Sequence, residues 1–200
     1  KLMQASNGKL YGTTFGGGST GAGTIFSLDT STNVVATVYN FILTSPNSKQ
    51  SEGGLIQASN GLLYGMTRYG GVNSKGTLFS FNISTSTFTQ LFDFGSSGNG
   101  DFPFEDLIQT STGKLYGMTY GGGTNGNGVL FSFDPITNTY SKKIDFSSST
   151  NGRNPNGSLI EASNGKLYGT TSGGGSINDG GTIFSFDTST NILSKLYVFP

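Results

Sequence analysis

The 200-residue sequence contains no cysteine, no histidine and no tryptophan. Without thiol and imidazole groups, the chain has no thiolate nucleophile, no serine–histidine or cysteine–histidine pair, and no zinc site of the usual ligand types. The composition therefore favours a non-catalytic protein, and it gives no reason to expect a bound cofactor.

Charge is also scarce, with 11 basic and 11 acidic side chains. Nucleic acids and anionic membrane surfaces bind clusters of lysine and arginine, so neither is predicted as a partner. The sequence has no apolar run of about 18 residues, the length that makes a membrane-spanning helix a candidate, and membrane insertion is not expected. The opening residues, KLMQASNG, lack the charged and apolar segments of a signal peptide, so we expect any targeting signal to have been removed or to lie outside this chain.

Glycine is abundant, at 33 of 200 residues, and much of it belongs to an internal repeat. Self-similarity at a fixed period is the signature of repeat architectures. The repeat is marked by the tyrosine of an LYG triplet and by two recurring phenylalanines: Tyr11, Tyr64, Tyr116 and Tyr168; Phe26, Phe79, Phe131 and Phe184; Phe41, Phe94, Phe146 and Phe199. The spacing predicts four units of about 52 residues, at 2–54, 55–106, 107–158 and 159–200, within a single repeat region covering 1–200.

Each unit is predicted to contain four short strands. The first, such as LIQAS, is followed in three units by Asn-Gly, the dipeptide that suits a two-residue type I′ hairpin. The second strand, LYGTT or LYGMT, leads into a glycine-rich loop, where glycine is expected to supply permissive backbone angles. The third strand, as in TIFSFD, is joined to the fourth by a turn such as DTSTN, whose polar side chains can bond to nearby backbone groups.

The third strand carries apolar side chains on both of its faces, which is typical of a sheet covered on both sides. Four-stranded antiparallel sheets stacked around an axis form a β-propeller with one repeat per blade. We therefore predict an all-β fold, a β-propeller with four blades in this chain. A β-solenoid is the competing repeat fold, although it needs no hairpin inside each repeat.

The topology of such a blade indicates where a ligand would bind. The glycine-rich loops and the links between blades share one edge of the sheets, and binding residues concentrate on loops held by a rigid scaffold. Aromatic rings beside polar groups in these segments could stack on sugars, while the alternative is that they are ordinary loop residues. The candidate ligand-binding residues are Phe15, Arg68, Tyr69, Tyr120, Phe102, Arg153 and Asn154, and Phe104 also lies in a link.

Three other motifs are given structural interpretations. The glycine triplets lack the lysine and the helix of a phosphate-binding loop. The acidic residues Asp93, Asp101, Glu105 and Asp106 do not have EF-hand spacing, so no metal site is predicted. The glutamates Glu52, Glu105 and Glu161 carry no mark of a glycosidase acid.

The string LIQASNGKLYGTT, followed by GGG and GTIFSFD, resembles the Gloeo/Verruco (GloVer) tandem repeat in all four units. This resemblance implies an exported, cell-surface-associated bacterial repeat protein. The strand order is also similar, more loosely, to NHL-type β-propellers.

The predicted function is that of a non-catalytic extracellular binding or adhesion module with glycan or protein ligands. These ligands would bind on the long-loop face, which is the face that carries the glycine-rich loops and the links between blades. The alternative is a structural subunit of a bacterial surface layer or extracellular filament. Four blades could close alone, associate with a second copy to complete a ring, or belong to a longer array. Self-association is therefore included among the predicted interactions.

Overall fold

The computed structural model describes residues 1–43, 49–96, 98–103, 105–175 and 179–200. Within these ranges the chain forms strands and turns and no helix. The strands are β1 (Met3–Gln4), β2 (Leu10–Thr14), β3 (Thr24–Asp29), β4 (Val34–Asn40), β5 (Ile56–Gln57), β6 (Leu63–Thr67), β7 (Thr77–Asn82), β8 (Thr87–Asp93), β9 (Ile108–Gln109), β10 (Leu115–Thr119), β11 (Val129–Asp134), β12 (Thr139–Asp145), β13 (Arg153–Pro155), β14 (Ile160–Glu161), β15 (Lys166–Gly173), β16 (Thr182–Asp187) and β17 (Ile192–Val198).

These strands form four antiparallel sheets, one in each predicted repeat. Blade 1 consists of β1 to β4, blade 2 of β5 to β8, blade 3 of β9 to β12, and blade 4 of β14 to β17. Blade 4 differs from the prediction of four strands, because β13 from the preceding link also pairs with β15.

The chain divides into two compact units. Unit 1 consists of Lys1–Gly95 and Phe102–Leu107 and contains blades 1 and 2. Unit 2 consists of Ser96–Asp101 and Ile108–Pro200 and contains blades 3 and 4.

Each unit has a core formed where one blade packs on the next. In unit 1, Tyr11, Ile25 and Phe41 of blade 1 are buried against Leu55 and Phe79 of blade 2, among others. The core of unit 2 has mostly the same repeat positions, drawn from blades 3 and 4: Tyr116, Met118, Leu130, Phe146, Leu159, Leu167, Phe184 and Phe186. Full burial of one such side chain contributes roughly 1.5–3 kcal/mol, so packing between blades stabilises each unit.

The glycine of the LYG triplet allows this packing. A Cβ at Gly65 would lie 2.6 Å from Cζ of Phe79, because the ring of the third strand crosses directly over the second. Leu78 and Phe79 point to opposite faces of β7 and both are buried. The prediction of a sheet with two apolar faces is therefore confirmed.

The Asn-Gly hairpins are not of the predicted type. A type I′ turn requires positive φ at both central residues, but among the described residues of this turn only Gly61 has positive φ, at 82°. Its N–H donates to the Ala58 carbonyl at 2.8 Å, and the Ala58 N–H donates to Leu62 at 3.0 Å. This is a type I turn followed by a left-handed glycine. Asn60 has a different role, because its side-chain amide donates to the Tyr64 hydroxyl at 2.9 Å.

The glycine-rich loops are fastened to their own blades by the end of the fourth strand. The Oδ1 atoms of Asn40, Asp93 and Asp145 accept backbone N–H groups of their loops, at distances of 2.9, 3.0 and 2.8 Å. Blade 4 has Val198 at the equivalent position. In the first three blades these loops are therefore closed structures that can hold side chains in place.

Candidate functional site

The links between blades run beside the glycine-rich loops and share a repeated backbone conformation. Gln50, Phe102 and Asn154 occupy equivalent positions and have left-handed φ values of 59°, 58° and 51°. Their backbone N–H groups donate to the carbonyls of Ala22, Lys75 and Asn127, respectively, at 2.8 to 2.9 Å. Each of these acceptors is followed by the glycine that precedes a third strand. This positive φ turns each link back toward the loop edge, where the predicted binding residues lie.

In unit 1, this backbone positions an aromatic–cation cluster, defined as Arg68, Tyr69, Lys75 and Phe102. The rings of Tyr69 and Phe102 meet edge to face, with their centroids 5.7 Å apart. The Arg68 guanidinium lies 5.4 Å from the Tyr69 centroid, and Lys75 Nζ lies 4.4 Å from the Phe102 centroid. Cations at these distances are attracted by the ring faces.

The first link supplies a carboxylate to this cluster. Arg68 Nη1 donates to both carboxylate oxygens of Glu52, at 2.8 and 3.0 Å. The backbone N–H of Arg68 also donates to the Gln50 carbonyl at 3.0 Å, and Lys49 and Tyr69 pair through two backbone hydrogen bonds. This ion pair holds the Arg68 guanidinium beside the Tyr69 ring.

In unit 2, the equivalent segments form a polar group. The Asn154 side-chain amide donates to the Tyr120 carbonyl at 2.9 Å, and its Oδ1 accepts from Arg153 at 3.1 Å. Arg153 also forms an ion pair with Asp179. The hydrogen bonds from Arg153 hold the pKa of Asp179 below its ordinary value. The Tyr120 side chain is 40% exposed.

The predicted site residues thus fall into two groups and one separate residue. Arg68, Tyr69 and Phe102 meet in unit 1, and Tyr120, Arg153 and Asn154 meet in unit 2. Phe15 is 46% exposed, and in the described part of the chain it shares no hydrogen bond or ring contact with the others. Phe104 lies outside the described residues.

The sequence reasoning did not identify Lys75, Glu52 or Asp179 as members of these groups. Lys75 and Asp179 lie far along the chain from their partners Phe102 and Arg153, so no local pattern connects them. The loop-closing residues did leave a signal: Asn40, Asp93 and Asp145 each precede the recurring phenylalanine at the end of a unit.

The model of the Gloeobacter/Verrucomicrobia repeat matches residues 1–200. The chain belongs to this family. A comparison of this Gloeobacter/Verrucomicrobia repeat protein with curated proteins finds no match.

Two solved β-propeller structures resemble this repeat protein. One is the crystal structure of TolB from Acinetobacter baumannii, with a TM-score of 0.58 and 13% identity over 94% of this chain. The other is a chain in the crystal structure of a nidogen/laminin complex, with a TM-score of 0.62 and 12% identity over 98% of this chain. The repeat protein spans 40% of the TolB chain and 64% of the second. These likenesses confirm the predicted β-propeller fold.

The described residues of this repeat protein contain no group of three or more acidic side chains placed to hold a metal ion. Over the same ranges, no helix is long and apolar enough to cross a membrane.

Proposed function

We propose that this chain is a non-catalytic, extracellular β-propeller module that binds a protein ligand through its long-loop face. The observation that carries the proposal is the aromatic–cation cluster of unit 1. One glycine-rich loop and the link that follows its blade supply these side chains, and Glu52 of the preceding link pairs with Arg68. A preorganised group of this kind binds without a large ordering cost.

The chemistry of the cluster favours a protein over a sugar. Stacking on a sugar needs an open ring face, whereas Lys75 lies over the face of Phe102 and Arg68 over that of Tyr69. Aromatic and arginine side chains are enriched at protein interfaces. A segment of a partner protein, which can contact the two rings and the arginine at once, is therefore the ligand that fits best.

The comparisons and the carboxylates are consistent with this proposal. One similar structure is a complex of nidogen and laminin, in which a related fold takes part in a protein assembly. Two glutamates have structural partners, because Glu52 is paired with Arg68 and Glu161 accepts the Ser111 hydroxyl at 2.8 Å. Family resemblance supports the extracellular location.

A glycan is the second candidate ligand, and the polar group of unit 2 favours it. The Tyr120 ring is exposed, and the amide of Asn154 is bonded to its backbone. A ring beside amide and guanidinium groups is suited to stacking on a sugar and bonding to its hydroxyls.

One experiment separates these ligands. The chain is applied to a peptide array and to a glycan array, together with the variants Lys75→Ala and Tyr120→Ala. We expect peptides to bind and Lys75→Ala to weaken their binding at least tenfold, because it removes the cation from the Phe102 ring, with Tyr120→Ala as the matched control. Glycan binding that is lost in Tyr120→Ala would support the second candidate, and a chain that binds neither array would contradict both.

The structural-subunit alternative has separate support. Apolar side chains are exposed in all four blades, among them Val35, Val72, Ile136 and Tyr197. Repeated contacts between copies would cover such surfaces in a layer or filament.

A further inference from the structure

Blade 3 carries a polar groove on the face of β11 opposite to Phe131, at the edge of the sheet that has the short turns. Its volume is about 300 Å³, and small-molecule sites have volumes of about 300–1,000 Å³. We call it the blade 3 groove. Two lysines, one aspartate and four hydroxyl residues line it, all of them in unit 2: Lys114, Lys143, Asp134, Ser132, Thr137, Thr139 and Ser141.

A buried hydroxyl without a partner lines this groove. Ser132 is 3% exposed, and within the described part of the chain its side chain makes no hydrogen bond. Ser141 lies opposite Ser132 in the register of β11 and β12, and its hydroxyl likewise has no partner in the described ranges. Buried polar groups are normally hydrogen-bonded, because leaving one unsatisfied costs free energy. A ligand that bonds to these hydroxyls would remove that cost.

The two lysines of the groove are not paired with a carboxylate. In blades 1 and 4, the lysine equivalent to Lys114 lies 3.6 Å from the aspartate that ends the third strand. Among the described residues, Lys114 and Lys143 make no ion pair. The Oδ1 atom of Asp134 accepts the backbone N–H groups of Ile136 and Thr137, at 2.9 and 3.3 Å. Two ammonium groups and one carboxylate give the lining an excess of positive charge.

Blade 2 has the uncharged counterpart of this groove. Leu62 and Asn82 take the positions of Lys114 and Asp134, and the four hydroxyl residues recur at the equivalent positions of a groove of about 230 Å³. The position of Lys143 is aliphatic in the other three blades, as Val38, Leu91 and Leu196. The repeat therefore supplies the hydroxyl groups, and blade 3 combines them with two ammonium groups.

We propose that the blade 3 groove binds a sugar unit that carries a negative charge, either a carboxylate or a sulfate ester. The ammonium groups of Lys114 and Lys143 donate to the anionic group, and such charge-assisted hydrogen bonds are the stronger ones. The hydroxyls of Ser132 and Ser141 exchange hydrogen bonds with the hydroxyls of the sugar. A hydrophilic ligand fits because none of the described residues that line the groove is aromatic or aliphatic. The site is separate from the long-loop face and does not rest on the function proposed above.

The test measures binding to the 200-residue chain by calorimetry and NMR. The charged probes are glucuronate and glucose 6-sulfate, and their controls are glucose and inorganic sulfate. We expect a charged sugar to bind and to shift the backbone amide signals of Ser132 and Ser141. Glucose lacks the charge and sulfate lacks the sugar hydroxyls, so each should bind roughly tenfold more weakly. The preferred charged probe identifies the anionic group.

Lysine variants test the charged part of the groove. Lys114→Leu and Lys143→Leu introduce the residue that blade 2 has at each position, so both are expected to fold. Each should weaken binding of the charged sugar roughly tenfold, because a charge-assisted hydrogen bond is lost. Lys166→Leu removes the equivalent lysine of blade 4 and is the matched control. It should leave the affinity unchanged, as should Tyr120→Ala on the long-loop face.

Several results would overturn the proposal. They are no binding of either charged sugar, inorganic sulfate that binds as tightly as glucose 6-sulfate, and equal weakening by Lys166→Leu and Lys114→Leu. A lysine on an outer strand also protects a sheet edge from pairing; if that were the role of Lys143, Lys143→Leu would leave sugar binding unaffected. If circular dichroism shows that a variant is unfolded, the amide shifts of the original chain decide. Shifts at Tyr120 that are absent at Ser132 would count against the groove.

Discussion

The link of unit 1 that carries Phe102 and the link of unit 2 that carries Asn154 have the same backbone and different side-chain chemistry. Both residues have left-handed φ values, and both donate their N–H at 2.8 Å to the equivalent loop position. Phe102 then packs with Tyr69 and Lys75, whereas Asn154 bonds to Tyr120 and Arg153. The repeat therefore supplies a common frame, and single side chains decide which ligand chemistry each loop edge presents.

The comparison also shows where strain is concentrated. Asparagine tolerates the left-handed conformation, because its short polar side chain bonds locally. A bulky ring there costs on the order of 1 kcal/mol. Contacts of Phe102 with Lys75 and Tyr69 offset this cost, and strained residues of this kind cluster at functional sites.

The largest expected effect comes from breaking the common frame. Gly128 has a φ of 96°, and a Cβ there would collide with the Thr119 carbonyl oxygen. We expect Gly128→Ala to lower the free energy of unfolding by at least about 3 kcal/mol. Gly126 in the same loop has a φ of 72° and no atom near its Cβ position, so Gly126→Ala should cost only about 1 kcal/mol. Denaturant unfolding measures the free energy of unfolding of both variants. Equal losses in the two would argue against a collision with the Thr119 carbonyl at position 128.

Exchanging the two link residues should have a smaller and asymmetric effect. Asn154→Phe introduces strain and removes side-chain hydrogen bonds, so we expect a loss of about 1–2 kcal/mol in the free energy of unfolding. Phe102→Asn relieves strain but removes the ring contacts, so the net change should lie within about 1 kcal/mol of zero. Denaturant unfolding of the two variants checks this order. A larger loss for Phe102→Asn would show that the cluster is chiefly a packing element.

The smallest expected effect is a response of unit 2 to acid. Arg153 lowers the pKa of Asp179, so the stabilisation of the folded chain by this ion pair is present above the ordinary aspartate pKa of about 3.9. This stabilisation is lost as the pH falls through the lowered pKa. Asp179 also accepts the Gly174 N–H. The Gly174 amide signal, followed by NMR, should therefore titrate below pH ~3.9. Asp187 provides an internal reference, because the Ser189 hydroxyl and nearby N–H groups lower its pKa to about 2. A titration midpoint of the Gly174 amide signal above pH ~3.9 would contradict the lowered pKa of Asp179.

The predictable part of the fold depends on patterns within a single repeat. The alternation in TIFSFD and the return of Tyr11 at Tyr64, Tyr116 and Tyr168 were enough to predict blades and the edge that carries long loops. Polar side chains also closed the third turn as expected, since Asp187 Oδ1 accepts the Ser189 N–H at 3.0 Å. The turn type predicted at Asn60 was wrong. The same type I turn with a left-handed glycine forms at Thr112 and Gly113, where no asparagine is present, so the Asn-Gly dipeptide does not by itself decide the turn.

Composition and periodicity were sufficient to predict an all-β repeat protein, because strand alternation and the spacing of the repeats are properties of the sequence itself. Contacts between distant segments had to come from the three-dimensional arrangement. Lys75 reaches Phe102, and Asp145 closes the loop at Thr124, only after antiparallel pairing has brought their strands and loops together. The same holds for the exposed Phe199, which is identical in sequence pattern to the buried Phe146. Its role depends on whether a neighbouring blade covers it.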